Sequence, residues 1–562
     1  MEVRVKTRNV KLQYLILMQL FFTTLYFNPF IGLDPYNFPK MTFLLFFTAI
    51  SFLYFERFHP KDISSSKWIY FGTGLWIFSL CVTFVLSADP LSQKIYGTQG
   101  RNQGFVTLLC FAFLTLQSMR VSTAEFADKV RKVILAVGLV LVPYSCLQYF
   151  GYDFSNLANI YNQMPIGTFG NPNFNSVILS FIGIACAWTL LYQARDLPSK
   201  LFFLGYLISI CFLIYVTKSA QGFWSLAIGC LVIFYSHIQA RLSLRLKGLT
   251  LVTTLVAFFS TLLGMFSLGP MSQLGEIGAV RVRIYYWLSG ICTGNQSPFF
   301  GVGFDGYGDW YRRCRPEQAF LWDPNRVTDV SHNIYIDYYA TGGLILVISF
   351  FILIFATIKQ ITSIYKTSGD STKNASLLIS VFVAFLAQGI ISINQIGLAI
   401  WGWILMGLIL GYPIENQVQN APKTGRAKSS VVTQQNSKSI FKFILAILAI
   451  GLTLLPPTNS SEKFKSAIEQ GNPIELESSL FDWPEDRARV RFGIQILMNS
   501  EQVELAKRAI VKAVEIYPDD YFLWQTYQKL FMGTDREDKA IFELNRLDPR
   551  IEINKNNSTE SK

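Results

Sequence analysis

Uninterrupted apolar runs long enough to cross a hydrocarbon core of about 30 Å recur from Leu12 almost to Pro456, and nothing else constrains the fold of this chain as strongly. Charged residues make up 15% and hydrophobic residues 51% of the 562 positions, with a mean hydropathy of +0.33. A soluble protein of this size carries about a quarter charged residues, so most of the chain must sit in lipid. The expected fold class is all-α: a polytopic transmembrane helical bundle of about 12 to 13 spans, with a long outer loop and a small soluble α-helical C-terminal domain.

Length and flanking charge predict spans near 12–28, 38–55, 67–87, 104–119, 133–150, 174–192, 201–216, 222–238 and 248–268, then 339–358, 375–393, 397–413 and 439–456. The first segment opens with Arg4, Lys6, Arg8 and Lys11 and has no small-residue cleavage site, so it reads as a retained helix with a cytoplasmic amino end. Every other loop is then cytoplasmic. Those loops hold Arg57 and Lys61; Arg120, Lys129, Arg131 and Lys132; Arg195 and Lys200; Arg241, Arg245 and Lys247; Lys359, Lys366 and Lys373; and Lys423, Arg426, Lys428 and Lys438. Each turn obeys the positive-inside rule, and topology therefore explains most of the +12 net charge without nucleic acid as a partner.

The same register puts the loops around 28–40, 88–103, 151–173, 217–221, 269–338 and 394–396 outside, together with everything after Pro456. The predicted organisation is a membrane domain over 1–413, a cytoplasmic linker over 414–438, a last span over 439–456 and an extracytoplasmic helical domain over 457–562. The 269–338 loop is much longer than a connector requires, which marks it for function. In the tail, Ala506, Ala509 and Ala513 recur at helical spacing, and Trp524, Tyr527, Gly533, Ala540 and Pro549 resemble a tetratricopeptide unit. The interval from Pro518 to Pro549 is short of the usual repeat of about 34 residues, so a plain helical hairpin stands beside that reading.

Of three histidines, His59 and His237 fall on the cytoplasmic side, leaving His332, within Ser331-His332-Asn333-Ile334-Tyr335-Ile336-Asp337-Tyr338, for outside chemistry. A neutral imidazole with a pKa near 6.5 suits the acceptance of a hydroxyl proton; capping or anchoring the following helix is the alternative. Arg281, Arg283, Arg312, Arg313, Arg315 and Arg326 gather positive charge where topology expects little. A guanidinium fork matches phosphate oxygens, while Glu276, Asp305, Asp309, Glu317, Asp323 and Asp329 are present to offset the same charges. Two polar breaks share this face: Thr168-Phe169-Gly170-Asn171-Pro172-Asn173, which also reads as ordinary helix entry, and Lys218-Ser219-Ala220-Gln221-Gly222, a short turn with a lone cation. Gly301-Val302-Gly303-Phe304-Asp305-Gly306 lacks a Walker lysine and its strand–helix context, so a nucleotide site is not expected.

Six of the eight cysteines (Cys81, Cys110, Cys146, Cys186, Cys211 and Cys230) lie in apolar segments and pack as small hydrophobes. Cys292 and Cys314 share a polar stretch and form a possible disulfide if it faces an oxidising compartment. No metal-ligand spacing of Cys and His is present in the sequence.

An ordered set of motifs resembles the O-antigen ligase and polymerase family, which includes lipopolysaccharide ligases, Wzy-type polymerases and bacterial O-linked protein oligosaccharyltransferases. They are Phe38-Pro39-Lys40, Gly97 to Gly104 with Arg101, Gly170-Asn171-Pro172-Asn173, Arg283 four before Trp287, Pro298 with Gly301-Val302-Gly303, and Ser331-His332-Asn333 followed by Gly342-Gly343. The resemblance covers about residues 12–413 and implies a GT-C-like bundle in the bacterial cytoplasmic (inner) membrane. It also implies metal-independent glycosyl transfer, without a cofactor, from an undecaprenyl-diphosphate-linked glycan donor. Carried onto this chain, Arg283 binds the diphosphate and His332 activates or positions the acceptor hydroxyl, with Arg281, Lys218, Arg101, Gln221 and Asn173 as further substrate-binding candidates. The family's Ser-Arg-Gly turn is replaced by Ser219-Ala220-Gln221-Gly222, where Lys218 or Gln221 substitutes only in part. The acceptor, a lipid, a glycan or a protein, stays open, and the helical tail suggests a protein partner. A transporter or lipid-linked glycan flippase is the rival reading; against it, Lys, Arg and His gather at the outer rim and not at the bilayer midplane.

Overall fold

The computed structural model describes residues 2–29, 34–54, 66–155, 157, 159–366, 370–413 and 435–551. Arg57, His59, Lys61, Lys423, Arg426 and Lys428, most of the 414–438 linker and residues 552–562 lie outside the described residues. Among those described there is no strand, and every expected span carries a helix. In chain order these are α1 (Glu2–Leu25), α2 (Asn37–Phe52), α3 (Ser66–Leu86), the short α4 (Leu91–Tyr96), α5 (Phe105–Val121), α6 (Ala124–Tyr149), α7 (Pro172–Tyr192), α8 (Leu197–Val216), α9 (Ala220–Ile238) and α10 (Leu244–Met265). After them come α11 (Gly278–Gln296), α12 (Tyr307–Cys314), α13 (Glu317–Trp322), α14 (Ile334–Lys366), α15 (Asp370–Gln388), α16 (Ile396–Leu410) and α17 (Gln435–Gln470). The tail continues as α18 (Pro473–Ser479), α19 (Arg487–Asn499), α20 (Val503–Ile516), α21 (Tyr521–Leu530) and α22 (Arg536–Leu547). By length and composition eight described helices can cross a membrane and four shorter ones are strongly apolar. This is a multi-pass membrane protein.

Cap chemistry explains where the membrane helices begin. Asn171 accepts the Asn173 amide ahead of Pro172, Asp196 accepts the Ser199 amide, and Gln395 accepts the Leu398 amide. Contacts between the helix ends sort the loops into two groups. At one end Gln13 reaches the Val121 carbonyl, Arg131 reaches Thr189, Trp188 reaches Lys373 and Ser376, and Ser236 meets Tyr365. At the other, Asn37 bonds Gly100 and Gln395, Gln103 bonds Asn394, and Ser176 bonds Ser219. The described basic loops belong to the first group and the polar breaks to the second.

Four expected boundaries shift. The 269–338 stretch is largely helical: α11 alone spans 19 residues and carries Arg281 and Arg283. Helix α6 starts at Ala124, nine residues before its apolar run, because the Thr123 hydroxyl caps the Phe126 amide. Helix α14 starts at Ile334, five residues before its expected span, and runs for 33 residues. Helix α17 continues through Pro456 and Pro457 to Gln470, so the tail grows out of the last apolar helix without a break at 456.

Helix α14 is interrupted at Gly343, where φ is +71°. The segment 298–303 lies against that break: Leu344 donates to the Pro298 carbonyl, and Val302 and Gly303 donate to the carbonyls of Ala340 and Thr341. A Cβ on Gly343 would come within 2.2 Å of the Phe299 carbonyl carbon, and one on Gly301 (φ +70°) within 2.3 Å of the Thr341 carbonyl carbon. Ser79 of α3 donates to the Gly342 carbonyl at the break, and Thr83 donates to the Phe300 carbonyl of the segment that lies against it. Two glycine motifs about 40 residues apart in sequence thus form one joint; Gly301 serves close backbone packing, and Gly303 leaves room for the Asp89 and Ser87 side chains.

The tail has its own core of Phe464, Leu480, Ile494, Ile510, Trp524 and Leu544 among others, with Ala506, Ala509 and Ala513 buried on α20 as their spacing predicts. It docks on the 269–338 region. The fully buried Asp548 carboxylate accepts from Arg312 at 3.0 Å and Arg315 at 2.6 Å, while Arg313 faces Asp519 at 3.4 Å. Arg312 also lies over the Tyr521 ring, 4.0 Å from its centroid. The acids expected to offset these three arginines are therefore not the ones that do; of the loop arginines only Arg326 takes a local partner from that set, Asp323. Cys292 of α11 and Cys314 of α12 are joined in a disulfide with Cα atoms 5.5 Å apart, and the other six cysteines are free.

Candidate functional site

At the entry of α14, the Asn333 side chain accepts the amides of Tyr335 and Ile336, and Asp337 reaches back to accept the Ser331 amide at 2.6 Å. The capping role is filled by Asn333, while His332 sits in the left-handed region at φ +56°. The imidazole stacks on Tyr286 of α11, with centroids 5.2 Å apart and planes 24° apart. Neither ring nitrogen has a hydrogen-bond partner among the described residues. Burial, reinforced by the positive charges of Arg101 and Arg283, lowers its pKa to about 4, Asp329 working the other way. The expected value near 6.5 is thus corrected downward, and the ring is neutral at physiological pH.

Arg283 is one turn before Trp287 on α11. Its guanidinium donates to two backbone carbonyls, Ile391 at 3.2 Å and Ala279 at 2.9 Å, and among the described residues it forms no ion pair. Burial lowers its pKa from the ordinary value. Gln221, at the entry of α9, donates to the same Ile391 carbonyl at 3.1 Å, so the short polar turn and Arg283 meet on the 389–395 connection. The Gln221 Oε1 and Asn394 Oδ1 atoms are buried without a partner among the described residues.

Arg101 reaches the same centre from loop 97–104. It forms a two-bonded fork with Asp329, both N···O distances being 2.8 Å. Burial alone would raise the Asp329 pKa, but the Arg101 charge and hydrogen bonds bring it below the usual carboxylate value. The loop itself wraps around Asp305, whose carboxylate accepts the amides of Thr98 at 2.9 Å and Gln103 at 3.1 Å. Burial pushes that carboxyl up to about 6 against those bonds and the nearby Arg101. A small cleft between these parts is lined by Arg101, Gln103, Asp305, Asp329, Asp337 and Asn394.

His332, Arg283, Arg101 and Gln221 are therefore brought together, and three other candidates are not. Arg281 lies about 200° around α11 from Arg283, since two helical residues advance that far, and it turns to the Gly275 carbonyl at 3.5 Å. Lys218 is exposed at φ +54° on the far side of its turn, beside Tyr149, Tyr215 and Phe223. Asn173 belongs to the α7 entry, its amide capped by Asn171 and its carbonyl accepting from Ser176. Sequence reasoning missed Asp329 as the partner of Arg101, for which no local signal exists across 228 positions. It placed Asp305 only among the acids that offset the loop arginines, and not as the anchor of loop 97–104.

No curated protein matches the chain. Residues 204–351 match the family model described as O-antigen ligase, a stretch running from α8 into α14 that includes Gln221, Arg283, the Cys292–Cys314 pair and His332, while Arg101, Asn173 and the tail lie outside it. The chain is thus a multi-pass helical membrane protein that carries an O-antigen ligase domain over residues 204–351, and that domain supports O-antigen ligase-like glycan transfer in general.

Proposed function

We propose that the His332 end of the bundle faces outward from the bacterial cytoplasmic membrane. There it transfers a glycan from an undecaprenyl-diphosphate-linked donor to an acceptor hydroxyl on a lipid, a glycan or a protein. The observation that carries this reading is the half-buried Arg283 guanidinium with no carboxylate partner among the described residues, set beside an imidazole that has no hydrogen-bond partner. A guanidinium without its own counter-ion is ready to hold an anion, and the diphosphate head supplies one. The gathering of the described basic loops at the opposite end of the bundle, and the disulfide at this one, support the outward orientation and an extracytoplasmic tail.

In the step itself the acceptor oxygen bonds to the anomeric carbon of the donor sugar while the bond from that carbon to the diphosphate breaks. The electron pair stays on the diphosphate, held by Arg283, and the hydroxyl proton passes to His332. The reaction draws on side chains alone. Donor charge placed between the ring and its two arginines offsets their repulsion and raises the basicity of His332 when a proton has to be accepted.

The test is reconstituted protein with a lipid-diphosphate glycan, with donor retention and product measured separately. Arg283→Lys should weaken donor retention, because an ammonium lacks the planar fork. His332→Ala should retain donor while transfer falls by something like 10²- to 10⁴-fold. Wild-type transfer by His332→Ala with both substrates saturating removes the histidine from the mechanism, and donor that crosses the bilayer without product supports the flippase reading.

A further inference from the structure

Loop 97–104, which presents Arg101, is held from three sides. Asp305 accepts two of its amides; Asp34 accepts the Gly100 amide at 3.2 Å, with Asn37 bonded to the Gly100 carbonyl at 2.6 Å. The third side is the tail. Asp486 caps α19 by accepting the amides of Ala488 and Arg489 through one oxygen, and with the other it accepts the Gln99 amide at 3.2 Å, two residues before Arg101. The next residue, Arg487, donates to Asp309 of α12 at 2.7 Å and to the Gln93 side chain of α4 at 3.1 Å. Gln93 in turn donates to the Phe304 carbonyl at 3.1 Å, beside Asp305. Burial raises the Asp309 pKa, and the Arg487 charge is the chief influence that opposes it.

We propose that Asp486 and Arg487 are positioning residues of the transfer site: by gripping Gln99, Gln93 and Asp309 they hold loop 97–104 so that Arg101 stays paired with Asp329 beside His332. This rests on the function proposed above. It makes the tail a part of the site's wall, in place of a separate module whose work lies with a partner alone. Neither residue touches substrate; both act through Arg101.

The experiment uses the full chain in lipid nanodiscs and reads two quantities. Hydrogen exchange of peptides covering 97–104 reports the loop without any need for turnover, and the pH profile of kcat/KM reports the surroundings of His332. Arg487→Ala and Asp486→Ala should speed exchange in 97–104 and lower transfer roughly ten- to a hundredfold. They should also move the acid limb of the profile upward, toward that of Arg101→Gln, because a displaced guanidinium no longer depresses the imidazole. Arg487→Lys, which keeps the charge, should lie between wild type and Arg487→Ala in both readouts. Arg508→Ala, at an exposed pair with Glu477, should change neither. A lower melting temperature with the acid limb unmoved overturns the positioning role, as does unchanged exchange. Wild-type protein that makes no product sinks the function reading alone, and the exchange measurement then still decides whether the tail holds the loop.

Discussion

Asp548→Asn is the substitution for which the structure sets the firmest magnitude. The carboxylate is fully buried and accepts from two guanidiniums, Arg315 at 2.6 Å with its side chain also fully buried and Arg312 at 3.0 Å with 9% exposure. The amide keeps the shape and removes the charge, leaving two buried cations without their shared counter-ion; the Pro324 carbonyl and the Phe320 ring that remain beside Arg315 are both neutral. Removing one member of a buried pair costs about 3–5 kcal/mol, far above the 0–1 kcal/mol of an exposed one. At 1.36 kcal/mol per factor of ten, the lower figure already shifts the docking equilibrium of the tail roughly a hundredfold. The assay is limited proteolysis in nanodiscs, following cleavage in 323–330, together with the melting temperature. The double variant Arg315→Gln with Asp548→Asn should cost less than the two single changes added together, since it removes the unpaired charge as well as the pair. A single Asn variant with wild-type proteolysis and melting, or strict additivity in the double, refutes the reasoning.

Three further outcomes follow from the same geometry. The acid limb of kcat/KM should lie near pH 4, where His332 becomes protonated and can no longer accept a proton, and Arg101→Gln should move it upward by about one unit as one depressing charge is removed; an unmoved limb separates Arg101 from the ring. Gly343→Ala should destabilise the protein by at least about 1–3 kcal/mol, because φ is +71° and the new methyl would meet the Phe299 backbone; a melting temperature within a degree of wild type by detergent-phase calorimetry would mean the α14 joint can relax. A reporter active only outside the cytoplasm, fused after Lys562, should be active, and activity of a cytoplasm-only reporter there means a miscounted span.

The membrane helices were legible in the sequence because lipid imposes one solution on a long apolar run, and helix caps such as Asn171 and Gln395 are local signals. The His332–Arg283 pair was legible through motif order. What was not legible joins residues far apart. Arg101 could be placed on the right end of the bundle but not against Asp329, and Arg312, Arg313 and Arg315 offered nothing to say that Asp548 and Asp519 of the tail would neutralise them. Periodicity also misled where apolar content and helix length differ: α11 is too polar to read as a span, and α17 passes through two prolines that usually end a helix. Arg281 and Arg283 looked like a pair because they are close in sequence, and helical geometry alone sends them apart.

The Arg315–Asp548 pair also sets an order of events during synthesis. The aspartate follows the arginine by 233 positions, which at about 5–20 residues per second means roughly 10–50 s of chain growth before the counter-ion exists. Until then a guanidinium destined for complete burial has to remain in water, and the region around α12 stays open with it. The docking of the tail on α12 is completed from the late end of the chain, so translation must pass Asp548 before a nascent molecule can bury Arg315.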